Sequence, residues 1–133
     1  MRYLLDTDTC IYIVKHKPAG TLKRFEQTRA GDVGMSVVTY LELVYGACKS
    51  RHLEANLARI EQLSGLIPVL PLDSPVGTHY GNLRTQLERS GLRIGAHDLL
   101  IAAHALSLGL IVVTNNVREF SRVRGLRIEN WTE

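Results

Sequence analysis

The chain alternates short apolar runs, rich in β-branched residues, with longer segments whose apolar residues recur at helical spacing. Runs such as "VGMSVVT" and "LIVVT" have little polar character, which is typical of strands covered on both faces. Strands that alternate with helices are joined by crossover connections and pair in parallel. The pattern therefore predicts a three-layer α/β/α sandwich around a mainly parallel sheet of four or five strands.

The positions of the elements follow from these runs and from capping signals. Strands are expected at residues 2–6, 33–39, 66–72, 110–114 and 127–131, the third at an edge because Pro68 lacks a donor N–H. Helices are expected from residue 7 or 8 to 15 and at 18–30, 40–48, 51–64, 74–91 and 95–108, with one further turn before the last strand. The helix at 95–108 is apolar on most of its surface, so we expect it to be deeply buried.

Composition narrows the class of protein. At 133 residues and 45% hydrophobic content, the chain is expected to form one domain over residues 1–133. Its longest nearly apolar run is too short to span a bilayer, and its start lacks the apolar core of a secretory signal, so we expect a cytoplasmic protein. Cys10 and Cys48 have no metal-binding spacing and are expected to be buried, reduced thiols. The net charge of +3 permits contact with a polyanion without identifying one.

Acidic residues lie where the predicted elements reach one edge of the sheet. Asp6 ends the first strand, Glu42 falls in the first turn of the helix after the second strand, and Asp98 falls in the first turn of a helix that runs back along the sheet. Ligands of such folds bind beyond the carboxyl ends of the strands. Carboxylates gathered there repel one another unless a cation neutralises them, and oxygen ligands suit Mg²⁺ or Mn²⁺. The sequence therefore predicts a divalent-metal site, with Thr114 and Asn116 nearby at the end of the fourth strand.

Each acid also has a purely structural interpretation. Thr39 and Glu42 have the spacing of a capping box, and Asp98 would interact favourably with a helix dipole whatever its function. Asp8 and Asp73 precede helices and are expected to act as N-caps. Asp6 is harder to explain in this way, because it follows a strand in which burying a lone charge is expensive.

The opening "LLDTDT" fits the first motif of haloacid dehalogenase-like phosphatases, in which the first Asp is the nucleophile and the second a general acid. That family has a Lys and a later acidic pair after its Thr motif. Only 19 residues follow Thr114 here, and they contain no Lys and no Asp. The order of motifs therefore excludes this alternative.

A second resemblance covers nearly the whole chain. The segments "YLLDTD", "SVVTYLELVYGA" and "IGAHDLLIAAHALSLGLIVVTNNVREFSRVRGLRIENW", in this order and at this length, resemble a PIN-domain ribonuclease of the VapC toxin type. The resemblance implies a Mg²⁺- or Mn²⁺-dependent endoribonuclease that leaves a 5′-phosphate without a covalent enzyme intermediate. It also implies a homodimer and a complex with a VapB-type antitoxin, which places an extended or helical segment in the toxin's groove. Asp6, Glu42 and Asp98 match the family's three main metal-binding acids.

The chain departs from the family pattern at two positions. The family often has Asn where Asp8 stands and a fourth Asp where Asn116 stands. Glu119 could supply the missing carboxylate, or Asn116 could bind through its amide oxygen, and Glu119 could instead be a surface charge beside Arg118. Thr114 matches a family Ser or Thr that orients water or a substrate phosphate, although a strand-end hydroxyl bonded to backbone is an equally simple role.

The substrate is expected to be RNA. The closing "NNVREFSRVRGLRIENW" resembles that of family members that cut transfer RNA, particularly initiator tRNA in its anticodon loop. Messenger or ribosomal RNA, and a nucleic-acid-binding module with an incomplete acid site, remain alternatives. Basic side chains are candidates for phosphate contacts or for a solvated surface, and they comprise Lys15, Lys17, Arg118, Arg122, Arg124 and Arg127.

Overall fold

The computed structural model describes residues 1–132, and its centre is a five-stranded sheet in the order β3-β2-β1-β4-β5. The strands are β1 (Tyr3–Leu5), β2 (Val33–Ser36), β3 (Val69–Leu70), β4 (Ile111–Val113) and β5 (Ile128–Glu129), and every pairing is parallel. The predicted sheet, with its short edge strand after Pro68, is confirmed.

Helices cover both faces of the sheet. They are α1 (Thr7–Lys15), α2 (Ala19–Gln27), α3 (Val37–Cys48), α4 (Leu53–Leu66), α5 (Ser74–Arg89), α6 (Ala96–Leu108) and α7 (Val117–Phe120), with a 3₁₀ turn at Ala30–Asp32. The three-layer α/β/α sandwich is confirmed. None of these helices is long and apolar enough to cross a membrane, within the residues described.

Alternating side chains of the central strands build two separate cores. Tyr3 and Leu5 of β1 pack with Cys10, Ile13 and residues of α3 and α4 on one face. Leu4 packs on the other face with Val112 and with the apolar residues of α5 and α6. Because α6 contributes six buried residues, it lies deep in the second core as its composition predicts. Burial on both faces explains why the strands read as continuous apolar runs.

The second strand is shorter than predicted. It ends at Ser36, whose hydroxyl accepts a hydrogen bond from the Val38 N–H at 3.2 Å and caps α3. The β-branched residues at 37–39 therefore lie in a helix, since a side-chain cap and tertiary packing outweigh their weak strand preference. The expected placement of Glu42 in the first turn is wrong, because Glu42 lies in the second turn. The capping-box interpretation of Thr39 and Glu42 is wrong for the same reason.

Three smaller expectations need correction. Asp6, and neither Thr7 nor Asp8, is the N-cap of α1, and its carboxylate accepts from the Thr9 N–H at 2.9 Å. Asp73 occupies the N-cap position of α5 as expected, but its side chain makes no capping hydrogen bond. Cys10 is buried as predicted, whereas Cys48 is exposed on the outer side of α3, and both thiols are free.

Candidate active site

The carboxyl ends of the three central strands form one polar rim. Leu5 pairs in register with Met35 on one side and with Val113 on the other, so the residues that follow these three come to lie side by side. They are Asp6, Ser36 and Thr114, all buried. The Asp6 N–H donates to the Val113 carbonyl at 3.0 Å, which holds the first turn of α1 against β4. Asp6 is therefore fixed where a parallel sheet binds its ligands.

Asp6 is an acid in an unfavourable place. Its side chain is 2% exposed, and burial raises its pKa from 3.8 to about 6. Hydrogen bonds from Thr114 and from the backbone and hydroxyl of Thr9 oppose this rise, and the charge of Asp8 adds to it. Asp6 thus has two roles, because it caps α1 through Thr9 and presents an almost completely buried carboxylate at the rim.

A second group of acids lies where α6 and α7 begin. The Asn116 amide donates to Asp98 Oδ2 at 3.3 Å and to Glu119 Oε2 at 2.5 Å, so one side chain bridges both carboxylates. Glu119 also accepts a hydrogen bond from the backbone N–H of Gly95, the N-cap of α6. A Cβ atom at Gly95 would lie 3.3 Å from Glu119 Oε1 and 3.9 Å from Asp98 Oδ2. Only glycine leaves enough space for both carboxylates at this position. Glu119 therefore lies at the rim as a member of this group.

Asp98 is the acid that feels the charges of all the others. Partial burial is the largest cause that raises its pKa from 3.8 to about 6, and the charges of Glu119, Asp6 and Glu42 contribute to the same rise. The hydrogen bond from Asn116 acts in the opposite direction. Four carboxylates from distant parts of the sequence therefore share one region of negative potential, with Asp98 at its centre.

Replacing Glu119 with Gln is expected to lower the pKa of Asp98, since the charge of Glu119 is the second-largest cause of its rise. The Gln carbonyl oxygen can still accept the hydrogen bond from Gly95, while the bond from Asn116 is lost because the Gln amide nitrogen cannot accept it. Carboxyl-carbon NMR titration in EDTA measures this pKa directly. Glu88→Gln, on the exposed face of α5, is the matched control and should leave the pKa of Asp98 unchanged. An unchanged value in the Glu119→Gln variant would contradict the shared potential.

Glu42 reaches the rim through partners that the sequence analysis missed. Its Oε1 atom accepts from the Thr7 hydroxyl at 2.5 Å, and its Oε2 atom lies 2.8 Å from Nδ1 of His97. Thr7 also lies 3.3 Å from the Thr39 hydroxyl, which links α1 to α3. The only available signals were that Thr7 and His97 stand directly beside Asp6 and Asp98 in the sequence. Their pairing with Glu42 depends on the packing of three helices.

The donor set suits a hard divalent cation. The candidate ligands are carboxylates, with the Asn116 amide oxygen as a neutral alternative, and such oxygens are preferred by Mg²⁺ and Mn²⁺. Among residues 1–132 no three His, Cys, Asp or Glu side chains lie close enough to form a closed ligand cluster. Their oxygens are instead engaged by Thr7, His97, Asn116 and the Gly95 backbone. The shared negative potential around Asp98 is the observation that fits a cation.

The remaining predicted residues are distributed around this site. The Thr114 hydroxyl accepts a hydrogen bond from the Asn116 N–H at 2.8 Å, as expected of a strand-end hydroxyl bonded to backbone, and it also lowers the pKa of Asp6. Asp8 is exposed in the first turn of α1.

The basic residues do not form one continuous surface. Arg118 is exposed on α7 beside the acids, and Arg122 donates to the backbone carbonyl of Arg93. Arg127 immediately precedes β5, and its guanidinium lies 3.4 Å from the Gly109 carbonyl, at the amino edge opposite the rim. The chain must return to that edge because β5 is parallel to β4. Arg127 therefore lies away from Arg118, and these two arginines do not share one surface.

A groove runs along α1 towards the acids. One recess lies between α1, α2 and α4 and includes Leu22, Phe25 and Leu66. A second lies between α1, α3 and α4 and includes Gly46, Ile60 and Glu42. The two recesses share Val14, Lys15 and Arg59, so they are continuous. Lys15 and Lys17 line this groove, which is apolar at its base and basic along its margin.

Comparison with known proteins identifies the family to which this fold belongs. The family model for the PIN domain matches residues 3–126. The chain belongs to the PIN-domain family. This assignment agrees with the parallel sheet and with the acidic rim at its carboxyl edge.

Within the PIN-domain family the chain is similar to VapC proteins along its whole length. It is 48% identical to the tRNA(fMet)-specific endonuclease VapC of Shigella flexneri over 99% of both chains. It is 45% identical to Ribonuclease VapC2 of Haemophilus influenzae over 98% of both chains. Among solved structures, the DNA-bound VapBC of Salmonella typhimurium matches with a TM-score of 0.93 at 44% identity, covering 98% of each chain. VapBC2 of Rickettsia felis, bound to a DNA fragment from their promoter, matches with a TM-score of 0.92 at 35% identity, covering 98% of this chain and 99% of that one. The chain is therefore a VapC-type member of the family.

Proposed function

We propose that this protein is the toxin of a VapBC pair, a divalent-metal-dependent endoribonuclease that cuts initiator tRNA in its anticodon loop and so stops translation. The observation that carries the proposal is the set of four acids around one rim, in a chain 48% identical over 99% of its length to a tRNA(fMet)-specific endonuclease. Single-stranded loops present unstacked bases that a protein can contact, which makes an anticodon loop a suitable target.

The acids have distinct tasks in this proposal. Asp6, Asp98 and Glu119 would hold Mg²⁺ or Mn²⁺, and Glu42 would complete the site. A bound cation would supply Lewis-acid stabilisation of phosphoryl charge and would activate water at neutral pH. Asn116 holds the carboxylates of Asp98 and Glu119 together, and Thr114 orients Asp6 and the Asn116 backbone. Arg118 lies beside the acids and would contact an RNA phosphate, which positions the chain without reading its bases.

The groove along α1 fits the antitoxin. A VapB segment lying in it would extend from α2 to Glu42 and would cover both apolar recesses while blocking the acids. The basic margin formed by Lys15, Lys17 and Arg59 favours a segment that combines apolar anchors with acidic residues. The solved VapBC complexes among its structural neighbours support a partner of this type.

Cleavage of RNA by the purified, antitoxin-free protein tests the proposed activity. Total RNA and initiator tRNA are incubated with Mg²⁺, Mn²⁺ or EDTA, and new 5′ ends are mapped. We expect one discrete cut in the anticodon loop, a 5′-phosphate product, and no cut in EDTA. An Asp98→Asn preparation, purified identically, controls for contaminating nucleases.

The result also separates the alternatives. Cuts in messenger or ribosomal RNA, with tRNA intact, would retain the nuclease but change its substrate. Metal-independent cuts that are equal in the control preparation would refute the mechanism. Tight RNA binding with no cleavage under any metal would favour a binding module, for which Asn116 in place of a family acid is the supporting feature.

Leu66→Glu is expected to weaken antitoxin binding at least about 10-fold and to leave RNA cleavage by the free toxin unchanged. Leu66 is 61% exposed and lies in the apolar recess near α2, away from the acids. A charge there should prevent an apolar partner side chain from binding in the recess without unfolding the protein. Titration calorimetry with the VapB chain measures affinity, and a cleavage assay measures activity. Leu108→Glu, an exposed leucine on α6 outside the groove, is the control. Equal antitoxin affinity in the two variants would contradict the proposed groove.

A further inference from the structure

Helices α3 and α6 carry Glu42 and Asp98, and they meet at two levels. At the upper level Glu42 Oε2 lies 2.8 Å from Nδ1 of His97. At the lower level the Ser36 hydroxyl lies 2.8 Å from Nδ1 of His104. The earlier residue of α3 meets the later residue of α6, and the later residue of α3 meets the earlier residue of α6. The two helices are therefore antiparallel.

The lower contact is the rigid one. His104 is 1% exposed and Ser36 is completely buried, whereas the His97 side chain at the upper contact is 61% exposed. Ser36 also accepts from the Val38 N–H and caps α3, so its hydroxyl is left to donate to His104. Burial lowers the pKa of His104, against smaller opposing contributions from Asp73 and a backbone hydrogen bond to Pro71. A neutral imidazole can accept this hydrogen bond, and a charged one could not.

On each helix, the acid and the residue of the lower contact are separated by the same number of positions. Glu42 follows Ser36 by six positions, and Asp98 precedes His104 by six positions. At the rise of an α-helix each interval corresponds to about 9 Å. The buried pair therefore forms the base of a frame, and its two arms, one along each helix, carry Glu42 and Asp98 about equally far from that base.

We propose that His104 is a positioning residue of the nuclease, which acts through Ser36 to hold α3 and α6 at the spacing that Glu42 and Asp98 need to share a cation. This inference rests on the proposed function. The negative charges of Glu42 and Asp98 repel each other, so the upper ends of the two arms are pushed apart. A buried neutral hydrogen bond at the base resists this repulsion without adding another charge. Metal sites tolerate only small displacements of their ligands, so loss of this bond should weaken cation binding.

A purely structural role would predict only a loss of stability, and four variants separate the two roles. His104→Leu and Ser36→Ala remove the bond, whereas His104→Asn keeps a polar atom at the position of Nδ1 and can bond to Ser36. Leu83→Ala truncates a buried residue of α5 in the core that surrounds α6, and should destabilise the protein without touching the pair. Each full-length variant is measured for Mn²⁺ affinity by calorimetry, for kcat and KM on tRNA, and for urea unfolding.

We expect His104→Leu and Ser36→Ala each to weaken Mn²⁺ affinity about 10-fold and to lower kcat by a similar factor, with KM within about 2-fold of wild type. His104→Asn should recover most of both losses, and Leu83→Ala should lose stability alone. The inference fails if His104→Leu binds Mn²⁺ as wild type does, or if Leu83→Ala loses as much affinity at equal stability. A wild-type protein that neither binds Mn²⁺ nor cuts RNA would refute the proposed function and this inference with it.

Discussion

Replacing Asp6 with Asn is expected to abolish RNA cleavage and, in EDTA at pH 7.5, to raise the free energy of unfolding by about 3 kcal/mol. The gain follows from the pKa of Asp6, which burial raises from 3.8 to about 6. Between these values the folded protein holds a proton that the unfolded chain has released. Stability therefore falls as the pH rises through this window, and above it the destabilisation is complete.

The neutral Asn side chain avoids this destabilisation and keeps the helix cap. Its amide oxygen can still accept from the Thr9 N–H, and Asn is as good an N-cap as Asp. The gain should shrink to about 1 kcal/mol at pH 4.5, where the folded wild type is already protonated and the unfolded chain is mostly ionised. Urea unfolding at the two pH values, with EDTA present, measures the difference.

Asp8→Asn is the matched control for this experiment. It makes the same chemical change two residues away, but at an exposed position, and should alter stability by less than about 0.5 kcal/mol. A loss of stability in Asp6→Asn at pH 7.5 would show that the carboxylate is held for structural reasons. Its burial would then give no indication of a cation.

The fold could be predicted because its strands carry their own signal. Runs buried on both faces of a parallel sheet must be apolar throughout, so each central strand stands out as a short run with almost no polar residues. Pro68 marked the edge strand, and Gly109, in the left-handed region at φ 69°, marked the end of α6. The end of β2 could not be predicted, because "VVT" at 37–39 favours a strand locally. Only its cap at Ser36 and its packing beneath α6 make it helical.

The candidate site also has a part that could be predicted from the sequence and a part that could not. Asp6 and Asp98 could be assigned to the rim because each stands at the end of a well-marked element. The hydroxyl and imidazole partners of Glu42, and the bond between Ser36 and His104, join residues that are 35, 55 and 68 positions apart. Sequence periodicity reports which face a residue lies on, but it carries no information about which residue of another helix meets it.

Asp98→Asn is expected to lower kcat for RNA cleavage by about 1000-fold while KM for tRNA stays within about 3-fold of wild type. Asn has the shape of Asp and can keep its hydrogen bond with Asn116, so the fold and the RNA-binding surface should be retained. The lost charge should also weaken Mn²⁺ binding, which calorimetry measures separately from activity. Glu88→Gln, whose parent Glu pairs with Arg84 on the exposed face of α5, is the control and should cut RNA as wild type does. More than about a tenth of wild-type activity in Asp98→Asn would be incompatible with the proposed mechanism.

The size of this effect should distinguish Asp98 from Glu42 and Glu119. Glu119, Asp6 and Glu42 all act on Asp98 through their charges, which makes it the one position where a cation would meet the field of the whole set. Glu42 shares its oxygens with Thr7 and His97, and Glu119 shares its own with Asn116 and Gly95. Each is therefore partly neutralised by hydrogen-bond donors before a cation binds. We expect Glu42→Gln and Glu119→Gln to lower kcat by about 10- to 100-fold, less than Asp98→Asn does. A reversed order would mean that the cation is centred on one of the two glutamates and that Asp98 only supports it.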